Sequence, residues 1–197
     1  KYVEWFVDSK VENKGETGSA NETIARKVIE SVHEDRPEHV YIMWSGAGRY
    51  EVWDDKGDVK TGGHPDYDKH RFYIKNFLNN EQAMYKTLEK IFLVQMFLKK
   101  QDIPYTMMLW KGDIITENHV LYHYIDWTKF VFYKDRKGLW EFAEENFKEY
   151  YLQGEAHPPP IAHYHWVKDI LFKRDVKCPE DEYEKLKNYF KGSDGRS

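Results

Sequence analysis

His157 is followed at once by Pro158, Pro159 and Pro160. A proline pushes the residue before it toward extended backbone, and a run of prolines stiffens the chain. The imidazole is therefore held at low entropic cost. With an ordinary pKa near ~6.5, such a ring can take a proton from a hydroxyl and return it. A base of this kind needs a partner on its other nitrogen, usually a carboxylate, and Glu155 is the nearest in sequence. The alternative is a surface or capping His. His163 and His165 follow on a predicted helix, on different faces; one is expected to support the site and the other to pack or face water. A metal site from the three histidines is disfavoured, because zinc on a helix prefers i, i+4 spacing or cysteine partners. No metal and no cofactor is called for.

A second set of residues lies near the other end of the chain. The segment Asn13–Asn21, NKGETGSAN, is rich in turn formers and precedes a predicted helix with Asn21 as its N-cap. The run Ser45–Arg49, SGAGR, directly follows the apolar stretch His39–Trp44. Ligands in open α/β sheets collect beyond the carboxyl ends of strands. Ser45, Arg49 and Glu51 are therefore positional candidates, with a plain Gly-rich surface turn as the alternative.

The elements that must position these groups read as follows. Alternation over Tyr2–Val11 predicts a strand. Ile24, Val28, Ile29 and Val32 predict a helix ending before Pro37. The run His39–Trp44 predicts a buried strand, so that strand, Gly turn, helix and strand compose a βαβ unit. Asp54–Asp68 reads as a loop or lid, and Lys69–Leu78 as a short helix. Asn80–Lys100 is the longest predicted helix. Its broad stripe includes Met84, Leu88, Ile91, Phe92, Gln95 and Leu98, widened by Tyr85, Met96 and Phe97. Pro104–Lys111 predicts another strand, Thr116–Trp127 a helix capped by Thr116, and Lys129–Tyr133 a short strand. Helices over Leu139–Tyr151, from the prolines to Phe172, and over Glu180–Phe190 complete the chain.

The 197 residues suit one domain, expected to span residues 1–176, followed by a C-terminal helix and tail at 177–197. Aromatic residues make up 17%, a surplus that lines grooves and interfaces or fills cores. A net charge of -4 argues against nucleic-acid binding by bulk electrostatics. One cysteine, Cys178, excludes an internal disulfide and fits a reducing compartment. No apolar run approaches the ~20 residues that cross a bilayer, and the first residues do not read as a signal peptide. A cytoplasmic or virion location is expected, without a membrane partner.

The segments NKGETGSANETIARKVIESV, HVYIMWSGAGRYE and EAHPPPIAHYHWVKDIL together resemble the SGNH/GDSL hydrolase superfamily, in the divergent form that bacteriophages encode. The resemblance covers roughly residues 11–51 and 155–171. It implies a three-layer α/β/α domain with a central, mostly parallel sheet of flavodoxin-like kind, and hydrolysis or transfer of acyl esters, often acetyl groups on sugars. His157 matches the catalytic base. Gly18 matches the glycine whose N–H helps bind the oxyanion, within a segment that also holds Ser19 and Asn21. Ser45 opens the third block, where the family has Gly-x-Asn-Asp; Ser45 or Arg49 would supply the missing Asn donor. The family's Asp three residues before the base is Gly154 here, leaving Glu155 as stand-in. Val7-Asp8-Ser9 half-matches the nucleophile block, yet Ser9 lies too close to Gly18 for the family's spacing. Either Ser9 serves, or Tyr2–Val11 is the family's second strand and the nucleophile block lies upstream of Lys1 or is lost. The implied partner is a small-molecule or glycan ester. The second reading is a non-catalytic structural or carbohydrate-binding protein, working as a homo-oligomer or in a virion.

Overall fold

The structure, a computed structural model, describes residues 2–7, 9–53, 59–62, 79–112, 117–151, 157–175 and 178–189. The chain divides into two compact units, Lys14–Phe130 and Lys1–Asn13 with Val131–Ser197.

The first unit holds α1 (Asn21–Glu34), β1 (Val40–Trp44), a hairpin of β2 (Tyr50–Trp53) and β3 (Val59–Gly62), α2 (Asn80–Lys100) and β4 (Tyr105–Leu109). The two-residue β5, Phe130–Val131, falls where the units divide. Strand order in the main sheet is β1-β4-β5, and the chain is mixed helix and strand with this small open parallel sheet. β1 and β4 run parallel from Val40↔Tyr105 to Trp44↔Leu109. Bonds from Val40 N to Pro104 O (3.0 Å) and from Trp110 N to Trp44 O (2.8 Å) extend the ladder at both ends. A parallel pair needs a long crossover, and α2 lies on that crossover. The predicted βαβ pattern therefore exists one step later in the chain than the sequence suggests.

α2 has well-defined ends. Asn79 caps it by accepting from Gln82 N at 2.7 Å. After Lys100, Asp102 turns left-handed (φ 54°) and Ile103 N returns to Leu98 O at 3.0 Å. Arg36 donates to the exposed Gln101 carbonyl at 2.7 Å, tying the end of α1 to the end of α2. The buried ridge of α2 is Ala83, Thr87, Leu88, Ile91, Val94, Gln95 and Leu98. Trp44, Met107 and Leu109 from the strands are equally buried. Tyr85 and Met96, expected to widen the core stripe, are exposed instead. Gln95 reaches Asp126 through both amide atoms, at 2.9 and 3.0 Å. That pair pins a connector which forms two 3-10 turns, Val120–Tyr124 and Trp127–Lys129, where the sequence predicts one α-helix.

The second unit holds a 3-10 turn (Tyr2–Trp5), α3 (Leu139–Asn146), a 3-10 turn at Lys148–Tyr150, α4 (Pro160–His165) and α5 (Glu180–Lys187). α4 continues as a wider π-helical stretch, Trp166–Phe172, and stops where Lys173 adopts φ 50°. The core is α3 on α4: Leu139, Ala143, Ile161, Ala162 and Trp166 are almost fully buried, and Phe142 meets Trp166 edge-on at 5.6 Å. The Tyr133–Lys137 bridge is fastened to α3 by Glu145, which accepts from Lys134 and Lys137 at 2.7 Å and from Tyr133 at 3.0 Å. These bonds, led by Lys134, hold the Glu145 carboxyl down to about 2.

The expected strand over Tyr2–Val11 is corrected to a 3-10 turn followed by irregular chain. Tyr2, Trp5 and Phe6 sit at i, i+3 and i+4, a spacing that gathers three rings on one side of a turn. Tyr2 and Trp5 pack edge-on against Tyr164, and Phe6 stacks on Phe172 at 5.3 Å. Arg174 donates to Phe6 O at 2.5 Å. Ring burial overrides the strand propensity of the segment. The expected loop at Asp54–Asp68 contains β3, paired antiparallel with β2 from Tyr50↔Gly62 to Trp53↔Val59. The expected helix at Lys69–Leu78, Thr116 and Phe190 lie outside the described residues. Among the described residues no helix is long and apolar enough to cross a membrane.

Phe6 is only 4% exposed. Phe6→Ala is expected to cost about 3 kcal/mol in urea unfolding, whereas Glu4→Ala stays within about 0.5 kcal/mol. A strand-like N-terminus, with the ring of Phe6 on an open face, would give two similar small values.

Candidate functional site

In the first unit the two turns singled out by sequence meet through one side chain. α1 starts at Asn21, and the N-cap position is Ala20, not Asn21. The Asn21 amide, 2% exposed, has other work. Its Nδ2 donates to Ser45 O at 3.1 Å and to Thr87 Oγ1 at 3.0 Å, while Ser45 N donates to Asn21 Oδ1 at 2.8 Å. Thr87 in turn donates to Ala83 O within α2. Three tertiary bonds outweigh the one local bond a cap would make, because the amide that makes them is itself buried and largely shielded from competing water. The exit of β1, the start of α1 and the middle of α2 are thus joined at one buried amide.

The turn before α1 is closed by Ser19, whose N and Oγ both donate to Glu16 O, at 3.3 and 2.9 Å. Lys27 reaches back from α1 to Glu16 and to the Lys14 carbonyl. Gly18 has φ 83°, a backbone state that a side chain disfavours. Its N–H makes no hydrogen bond with any described residue. After β1, Arg49 N bonds to Gly46 O at 3.2 Å, forming a turn. A Cβ added at Gly46 or Gly48 would meet nothing within 4 Å, so the space over this turn is open. The Arg49 guanidinium is half-buried and forms no ion pair among the described residues. Glu51, one turn further along the chain in β2, is 6% exposed at its side chain; it accepts from Thr23 Oγ1 at 2.5 Å and pairs with Arg26 at 3.2 Å. That pair fastens the hairpin to α1.

His157 lies in the second unit. Pro158 and Pro159 are buried and His157 is exposed, so the ring projects from an anchored brace. Pro159 caps α4, and Pro160 takes the first helical position, where its missing N–H costs nothing. His163, one turn into α4, bonds back to the proline brace. Burial pushes its ring down to about 4, against the pull of a hydrogen bond to the Pro158 carbonyl, and the nearby His157 adds to the depression. A neutral ring donating to that carbonyl fixes the residue after His157. His165 has a different role: Nδ1 meets Asp169 Oδ2 at 2.8 Å, Nε2 meets the Tyr183 hydroxyl at 3.0 Å, and the ring lies on Phe147 at 5.0 Å. It joins α4 to α5.

Ser9 is exposed and belongs to the same unit as His157. Gly18, Ser19, Asn21, Ser45 and Arg49 belong to the other unit, and Glu155 lies outside the described residues. Among the described residues no three His, Cys, Asp or Glu side chains gather as metal ligands would. Sequence reasoning missed Thr87, Thr23 and Arg26. Thr87 carried no readable signal, since a polar residue inside an apolar helical stripe looks the same whether it bonds its own backbone or a distant side chain. Compared with family models, curated proteins and solved structures, the chain matches none.

Two outcomes follow from this geometry. Asn21→Ala leaves the partly buried Ser45 N–H without its acceptor and should cost about 2 kcal/mol; a double cycle with Thr87→Val should show coupling, and strict additivity in denaturant melts would mean the amide is not shared. His163 is neutral in both states above pH ~6.5. As pH falls from there to about 4, the unfolded ring takes a proton that the folded ring refuses, so stability declines and then levels. The loss, up to about 3 kcal/mol, should be absent from His163→Gln when stability is followed between pH 7 and 4.

Proposed function

We propose that this chain is an SGNH-type ester hydrolase or acyltransferase domain acting on O-acyl substrates, O-acetylated carbohydrates being the favoured class. The sheet described above would be part of a three-layer α/β/α arrangement. The observation that carries the reading is the Asn21 amide, which holds the Gly18–Ser19 turn at the mouth of β1, beyond a strand's carboxyl end. A left-handed glycine with an uncommitted N–H is the type of donor an oxyanion needs, and it is fixed before the reaction begins.

In this reading His157 is the general base. It accepts the proton of the attacking serine hydroxyl as the acyl carbonyl is attacked, and returns it to the leaving alkoxide. Negative charge grows on the carbonyl oxygen, and the Gly18 N–H donates to it. The Ser45 N–H is committed to Asn21, so the second donor is the Ser45 hydroxyl or Arg49. Glu155 orients the imidazole. Within this sequence the nucleophile is Ser9.

One observation favours a second reading, a non-catalytic carbohydrate-binding or structural protein: the position three before His157 is Gly154 and the third block has Ser45 where the family has Gly-x-Asn-Asp, so two polar groups of the family's site are replaced. Hydrolysis of p-nitrophenyl acetate by the chain should fall at least ~100-fold in His157→Ala, the size of a general-base contribution. Equal rates for the two proteins remove the enzyme, and glycan binding without turnover then supports the second reading.

A further inference from the structure

The solvent side of α2 is unusual for an exposed helical face. Tyr85, Leu93 and Met96 are 42, 47 and 51% exposed, and Val120 and Tyr124 on the adjoining 3-10 turn are 59 and 66% exposed. Tyr124 meets Phe92 of α2 edge-on at 6.4 Å, which makes the patch continuous across the two elements. A contiguous apolar patch of this kind on a helix marks an interaction surface.

The charges around the patch say what covers it. Glu81 lies at the start of α2, and Lys99 lies 18 residues later. Eighteen residues are five turns, so the two side chains leave the helix on the same line, about 27 Å apart. Both are exposed, and neither forms an ion pair with any described residue. Tyr85 and Met96 are spaced evenly about the same midpoint, near Lys90. The stripe is therefore complementary to its own reverse. Glu89, near the midpoint, is already paired with Lys90 at 3.5 Å.

We infer that this face of α2 binds a second copy of the chain as an antiparallel helix pair, with a two-fold axis passing near residue 90. Such an axis sets Tyr85 against Met96 of the other copy and Glu81 beside its Lys99, twice over. This is the isologous contact that closed dimers use. Crossing near 20° lets apolar side chains of this spacing interdigitate along the whole helix. A parallel pair would place Glu81 against Glu81 and is disfavoured by charge.

Sedimentation velocity of the full chain over a range of concentrations tests the inference. The wild type should show a reversible dimer. Leu93→Glu with Met96→Glu should raise the dimer dissociation constant at least ~10-fold, while circular dichroism shows an unchanged fold, since both positions are exposed. Glu81→Lys and Lys99→Glu should each weaken the dimer, and the double variant Glu81→Lys/Lys99→Glu should restore it. A wild type that stays monomeric at every concentration overturns the inference. So does a dimer indifferent to all of these substitutions, or a charge swap that fails to restore association. Binding of only an unrelated partner to this face, with no self-association, also counts against it.

Discussion

A single buried amide decides how the first unit is assembled. Asn21 is the first residue of α1, yet its side chain makes no local bond. It accepts from the backbone of Ser45 at the exit of β1 and donates to that same residue and to Thr87 in α2. A buried carboxamide with unmet bonding capacity is costly, so the geometry that satisfies it fully is strongly selected over near misses. The Gly18–Ser19 turn before α1 and the Ser45–Arg49 turn after β1 are consequently not independent surface loops. They are the two sides of one polar junction.

The same device recurs at two other places among the described residues of this unit. Gln95 bonds both backbone groups of Asp126 and thereby organises a connector made only of short 3-10 turns. Glu51 draws Thr23 and Arg26 of α1 onto the hairpin. In the second unit rings and prolines take over this role. The Tyr2, Trp5 and Tyr164 cluster holds the N-terminal turn, and two buried prolines hold the backbone on which His157 stands. Many of the described aromatic rings thus pack short elements that could not be stable alone. Among the described residues, Tyr85, Tyr124 and Tyr189 are exceptions, because they are largely exposed.

Much of this was legible in the residues. The apolar run ending at Trp44 had the length and composition of a buried strand, and β1 occupies it. α2 occupies the predicted span Asn80–Lys100. The prolines after His157 forecast both a helix start and a braced imidazole. Short-range physics decides each of these: propensity, capping and the fixed φ of proline act within a few residues.

The errors share a different origin. Alternation at Tyr2–Val11 was real, but the i, i+3, i+4 spacing of Tyr2, Trp5 and Phe6 was equally real, and only the presence of Tyr164 and Phe172 as ring partners decided between them. Asn21 was readable as a polar residue at a helix start; that it would serve Ser45 and Thr87, 24 and 66 residues away, was not. Tyr85 and Met96 fit the apolar stripe of α2 on a helical wheel, and the burial of Ala83, Thr87 and Val94 on the opposite side turned them outward. The sequence alone determined where β1, α2 and the helix after the prolines lie, because those choices depend on neighbours along the chain. Tertiary structure alone decided which face of an element is buried and which polar groups find each other, because a buried hydrogen bond or ring contact gains its value from a partner that chain order does not reveal.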